Sequence, residues 1–203
     1  MTTPRDLFLV TVYDAAARPV EQGDLSLALA GAELVDLIDA GAVTLDGDLL
    51  VPAPQGATGD RLLDEAAAAL KREAPYESVE DWLWRRGRGL GAAYLDALEA
   101  DGTVVARQPR RRWLPLPTGR TEPSDSPERA GAHERWTSGE PVLAALAAAV
   151  GVRDEAAKDL AGVAPDATVT VVAAVNDAVT ELAAVRQRRE IEDAAFDNVW
   201  RGL

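Results

Sequence analysis

Apolar positions recur every three or four residues along most of the chain, with two short interruptions of strand-like alternation. GDLSLALAGAELVDLIDAG, residues 23–41, sets Leu25, Leu29, Leu34, Leu37 and Ile38 near helical spacing and predicts a helix closed by Gly41. DLFLVTVY, residues 6–13, is rich in β-formers but short, so helix and strand both stay open. VTLDGDLLV, residues 43–51, predicts a hairpin turning at Asp46 and Gly47. In TGDRLLDEAAAAL, Thr58 or Asp60 is placed to cap a helix whose inner face is Leu62, Leu63, Ala66, Ala67 and Leu70. Pro75 prevents its smooth continuation, lacking an amide donor and disfavouring helical geometry at Ala74.

Ser78 and Asp81 have capping-box spacing, which restarts a helix with Val79, Trp82 and Leu83 inward; the two helices are expected to pack as a bent pair. Trp82 and Trp84 flank Leu83, and at least one belongs in the core. GLGAAYLDALEADG adds a third helix with Leu90, Tyr94, Leu95 and Leu98 inward, ended by Gly102. TVVARQPRRRWLPLP then reads as a second hairpin with a basic tip around Pro109. Residues 117–141 are polar and rich in proline and glycine, a long connection with room for one or two helical turns. It is either a loop within one domain or a hinge between two. VLAALAAAVG from residue 142 and the long stretch from residue 168 are helical, with Phe196 and Trp200 four apart on one face. VTVVAAV is apolar almost all round and predicts a helix in the middle of a bundle. The fold expected is mainly α: a single-domain helix bundle over residues 1–203 with two short β-hairpins.

Composition narrows the chemistry. At 203 residues the chain is at the upper end of what one core serves. The absence of cysteine removes disulfides and thiolate chemistry and makes a reducing, cytoplasmic compartment the expectation. The opening MTTPRDLFLVTVYD carries Asp6 and Asp14 around a short apolar run, unlike a signal peptide, and no apolar run approaches the roughly 18 residues of a span. His133, the single histidine, lies in the polar connection, and the chain has no glycine-rich phosphate loop or nucleophile elbow. No cofactor, metal or catalytic residue is assigned, and an enzyme is disfavoured. Asp60, Asp64 and Glu65 read as caps and solvated charges.

The quoted stretches carry a resemblance. TGDRLLDEAAAALKREAPYESVEDWLW, with the preceding DLFLVTVYD and GAELVDLIDAGAV and the following YLDALEADGTV, is similar to the Golgi-phosphoprotein-3-like family. That family shows TGD-x-LLDE, a helix, a proline and V-x-x-W in this order. The match is sharpest at Thr58–Glu65 with Trp82 and is collinear over nearly all of the chain. The resemblance implies a helical single domain. It also implies a phosphatidylinositol 4-phosphate headgroup as ligand in eukaryotic members, and in some of them cytosolic tails of glycosyltransferases as partners. Two lysines, Lys71 and Lys158, against many arginines, with the alanine bias, fit a bacterial member from a high-GC genome. Ungapped alignment sets Glu21 and Ala30 where the family has its phosphate-binding tryptophan and first arginine, and Arg88 and Gly91 at its other two arginines. Arg88 alone is retained.

The net charge of −13 disfavours general nucleic-acid binding, yet residues 85–113 hold seven arginines against three acids. Arg85, Arg86, Arg88, Arg107, Arg110, Arg111 and Arg112, with Trp113, therefore form the candidate lipid-binding set. Each basic side chain near an anionic leaflet contributes about 1 kcal/mol, and tryptophan favours the headgroup zone. The expectation is a non-enzymatic peripheral membrane or adaptor protein on the cytoplasmic face. Two blander readings stand beside it: Arg85–Arg88 as the basic end of a helix, and RQPRRRW as a charged turn guarding a sheet edge. The alternative function is a winged-helix-like nucleic-acid-binding regulator. Against it, the helix before the basic hairpin carries Asp96, Glu99 and Asp101.

Overall fold

The computed structural model describes residues 2–14, 20–54, 56–106, 121–123, 126–152 and 160–201. Among them are eight helices and two antiparallel two-stranded sheets: α1 (Thr3–Asp14), α2 (Gln22–Asp39), β1 (Val43–Asp46), β2 (Leu49–Pro52), α3 (Arg61–Ala69), α4 (Val79–Arg86), α5 (Leu90–Ala100), β3 (Val104–Ala106), β4 (Thr121–Pro123), α6 (Pro127–Thr137), α7 (Pro141–Ala149) and α8 (Asp166–Arg201). The open choice at DLFLVTVY resolves as helix: Leu7, Phe8, Leu9 and Val10 are all buried, so surrounding packing outweighs local β-propensity.

The centre of the bundle is α2. Ser26 through Val35 and Leu37 are buried on it, and α1, α3, α4, α5, α7, α8 and β1 all pack against it. This corrects the expectation that VTVVAAV would be central. α8 buries Thr168, Val171, Val172, Val175 and Ala178 against α2, α4 and α7, while Gln187 through Ala194 are exposed. At 36 residues it is about 54 Å long, more than the core can cover. By length and composition α8 also passes as a membrane span. Its fully buried Val171 and Val175 are instead committed to the bundle. The helical backbone reaches Arg201, but the side chains of Phe196 and Trp200 lie outside the described residues.

Local rules account for the middle of the chain. Asp60 caps α3, accepting from the amides of Leu62 at 2.9 Å and Leu63 at 3.1 Å; Ser78 caps α4 through the Asp81 amide at 3.0 Å. The first hairpin pairs Asp46 with Leu49, so its two-residue turn is Gly47–Asp48, one position beyond the expected pair, with Gly47 at φ +64°. The bent pair is not formed as such, since α3 and α4 each lie on α2. Arginine side chains join them, Arg85 reaching the Ala69 carbonyl at 3.1 Å and Arg86 that of Leu62 at 3.3 Å.

Two expectations for the second half change. β3 pairs with Thr121–Pro123 and not with the WLPLP arm, so residues 107–120 all lie between the strands. The polar connection holds an 11-residue helix, α6, capped by Ser126 and anchored by buried Ala132 and Trp136. Trp82 is wholly buried and donates its indole N–H to the Ala30 carbonyl at 3.2 Å; Trp84 is half-buried.

Three carboxylates sit inside this body and set its response to pH. Burial pushes Asp6, Glu33 and Asp36 above the ordinary carboxylate range, against the opposing effects of Arg135 on Asp6, of Arg86 and Tyr94 on Glu33, and of Thr3 on Asp36. One Asp6 oxygen pairs with Arg135, and the other has no hydrogen-bond partner among the described residues. A raised carboxyl pKa means that the folded state holds more protons than the unfolded chain between about pH 4 and the raised value. Stability therefore falls as pH rises through that window. Thermal unfolding followed as pH is raised from about 4 is expected to show the melting temperature falling through that window; a flat profile or the opposite slope would remove this account.

Candidate functional site

The motif that carries the family resemblance serves the scaffold. Thr58 donates its amide and hydroxyl to Asp64 at 2.6 and 2.7 Å, holding that carboxyl below its ordinary range. Gly59, at φ +86°, turns the chain so that Asp60 meets the α3 amides. Asp60 also takes Arg5 Nε at 2.6 Å, and the same guanidinium reaches Asp101 at 2.8 Å, tying α1 to the start of α3 and the end of α5. Glu65 is spent on Arg61, one turn away. No residue of TGDRLLDE faces an open cleft described below.

The arginine run at the end of α4 separates into three directions. Successive helical residues turn by about 100°, so neighbours in sequence part company in space. Arg86 points inward, its Nε and Nη2 each 2.8 Å from the Glu33 carboxylate on α2, which also accepts from the Tyr94 hydroxyl at 3.1 Å. Burial first, and then the Glu33 charge, pushes the Tyr94 hydroxyl far up, so it stays a donor. Arg85 makes a two-point pair with Glu77 at 2.6 and 2.7 Å and lies 5.1 Å from the Trp82 ring centroid. These contacts give Arg85 and Arg86, both in the last turn of α4, structural duties. Arg88, two residues past the helix, is exposed and makes no ion pair among the described residues.

Arg107, Arg110, Arg111, Arg112 and Trp113 fall outside the described residues.

Arg88 lies at the meeting of two open clefts. The first, about 320 Å³, is walled by Gln22, Gly23 and Ser26 of α2, by Gly87–Gly89, and by Trp84 and Leu182. The second, about 610 Å³, runs from Arg88 and Trp84 past Asp81 to Tyr76 and Lys71. Into the first cleft come the starts of two helices, α2 after Glu21, which no side chain caps, and α5 after Gly89, whose Gly91 amide is taken by Ser26. A helix start carries partial positive charge, so the uncapped start of α2 and Arg88 form a small region suited to an anion, whereas the first amides of α5 are already bonded to Gly87, Ser26 and Gly89. Small residues make this approach possible. Gly89 holds φ +72°, and a Cβ on Gly91 would stand 3.1 Å from Ser26 Oγ, which accepts the Gly91 amide.

Glu21 and Asp24 carry negative charge at the same end of α2. Arg186 of α8 covers them, pairing directly with Asp24 and lying 3.8 Å from Glu21. Neither this triad nor the Glu33–Arg86–Tyr94 network appears among the candidates drawn from sequence. An isolated acid in the apolar run ALAGAELV is a signal for the second; the first joins residues too far apart in sequence to be paired by inspection.

Bundle and cleft together define a mainly helical protein with an open cleft, lined by Arg88, beside the first turn of its central helix. The chain belongs to the Golgi phosphoprotein 3 (GPP34) family, which it matches over residues 4–194, nearly its whole length. A search of curated proteins finds no match. Of the four aligned headgroup positions, Arg88 lines the first cleft, and Glu21 and Gly91 stand next to its lining residues. Ala30 is wholly buried.

Proposed function

We propose that this chain is a non-enzymatic peripheral membrane or adaptor protein that receives an anionic phospholipid headgroup in the cleft between the start of α2 and the α4–α5 turn. The observation that carries the reading is Arg88: an exposed guanidinium without a carboxylate partner among the described residues, set between the uncapped start of α2 and the edge of Trp84. The resemblance to phosphoinositide-binding relatives supports a headgroup as the anion. Glu21, Ala30 and Gly91 supply none of the side chains that would define phosphatidylinositol 4-phosphate, so the site reads charge more than headgroup identity. Arg107, Arg110, Arg111, Arg112 and Trp113 add attraction to the same leaflet, and a cytosolic tail of a membrane protein is the partner an adaptor would bring there.

Co-sedimentation with phosphatidylglycerol vesicles tests this. Arg88→Ala is expected to weaken binding about five-fold at low salt, the effect of one cation worth about 1 kcal/mol near a charged leaflet. Changing Arg110, Arg111 and Arg112 together to glutamate is expected to abolish it, and salt weakens what remains. Binding that neither variant alters would overturn the reading, as would wild-type protein that ignores the vesicles. Inorganic phosphate that displaces the protein at millimolar levels would reassign the cleft to a soluble anion.

A further inference from the structure

We infer that Arg186 on α8 governs access of anions to this cleft by pairing with Asp24 and lying beside Glu21, so that it halves their negative charge and is a positioning residue for the headgroup without touching it. The inference rests on the headgroup reading above. The geometry is specific. Leu182, one turn before Arg186, forms the α8 wall of the cleft, and the Arg186 Nε donates to the Leu182 carbonyl at 3.3 Å, fixing the guanidinium beside that wall. A Cβ on Gly23 would come 2.8 Å from Leu182 Cδ2, so the bare Gly23 leaves room for the leucine side chain to seat against α2. Asp24 follows Gly23 directly, and its side chain is 14 % exposed, while that of Arg186 is 31 % exposed.

The charge argument follows from that closeness. Asp24 lies in the first turn of α2, directly after Gly23 and two residues before Ser26, both of which line the cleft, within a Debye length of about 8 Å in physiological salt. Uncovered, Asp24 and Glu21 would place two negative charges where the helix start and Arg88 offer positive potential, and an incoming phosphate would be repelled. Covered by Arg186, their net charge is halved, and Arg88 with the start of α2 offsets what remains. In physical terms α8 contributes a cation to a site whose anion-facing groups all come from α2 and the α4–α5 turn. The arrangement predicts a definite sign for each charge removed.

Phosphatidylglycerol vesicles at low salt are the probe, with thermal unfolding as the check on folding. Arg186→Gln is expected to weaken vesicle binding about three- to ten-fold, the range of one uncompensated charge close to the site. Asp24→Asn alone is expected to bind as well as wild type or better. The double variant, Asp24→Asn with Arg186→Gln, is expected to recover most of the loss, a rescue that damage to the cleft wall would not produce. Equal binding by Arg186→Gln and wild type overturns the inference. A double variant no better than Arg186→Gln also overturns it, since Arg186 would then act directly or through packing. Arg88→Ala separates the two levels: if it binds like wild type the headgroup reading fails, whereas a loss with Arg88→Ala and none with Arg186→Gln sinks the role of Arg186 alone.

Discussion

Replacing Arg86 with methionine is expected to lower the free energy of unfolding by about 3–5 kcal/mol at neutral pH, the range for removing one partner of a buried ion pair. Glu33 has no exposed side-chain surface and Arg86 only 17 %, so the carboxylate left behind would reach neither water nor another cation. The Tyr94 hydroxyl would stay as its one hydrogen-bond donor among the described side chains. By contrast, the exposed Arg61–Glu65 pair is of the kind worth only a few tenths of a kcal/mol. Urea unfolding followed by tryptophan fluorescence measures the difference, and a loss below about 1 kcal/mol would mean that the network does not bear on stability.

Two further arms follow from the same electrostatics. Pairing Arg86→Met with Glu33→Gln removes the orphaned charge and is expected to restore a large part of the loss. Burial already raises the Glu33 pKa, and without Arg86 it rises further. The single variant then gains more than wild type from acidification, and its deficit shrinks as pH falls. A deficit independent of pH would assign the effect to lost packing of the Arg86 stem.

How much of this was legible in the sequence depends on the range of the forces involved. α2 through α5 follow from apolar period, caps and glycines, because each signal acts within one or two turns; Asp60, Ser78, Gly41 and Gly102 stand where local rules put them. The strand paired with β3 was not legible. The arms stand too far apart in sequence for a short hairpin loop to signal the register, and β4 rests against α1, a contact between distant parts of the chain. α6 was hidden by its polar composition, although Ala132 and Trp136 sit four apart and both are buried. The arginines show the same limit for the site. Sequence counts Arg85, Arg86 and Arg88 as one patch, but helical rotation and the acids Glu77 and Glu33 leave only Arg88 open. Which arginine stays free depends on partners 8 and 53 residues away.

Gly31→Ala and Gly31→Val test the packing of α8 on the central helix, and the sign of the first is decisive. In an exposed helix interior, glycine to alanine is stabilising by about 1 kcal/mol. Here a methyl group would overlap Val175 Cγ2 and come 3.7 Å from Leu83 Cδ2 and Val171 Cγ1, all on wholly buried residues. A buried valine has little rotamer freedom, so the strain must be met by parting α2 from α8, at a typical cost of about 1–3 kcal/mol or more for overpacking. Gly31→Ala is therefore expected to be destabilising by about 1–2 kcal/mol after the helix-propensity gain, and Gly31→Val by more than 3 kcal/mol. Removing the obstructing methyls with Val175→Ala in the Gly31→Ala background is expected to recover part of that loss. Leu182 and Arg186 flank the cleft from the same helix, so Gly31→Val is also expected to weaken vesicle binding while leaving Arg88 in place. A stabilised Gly31→Ala protein would show α8 standing off from α2, and both the packed core and the α8 wall of the cleft would have to be redrawn.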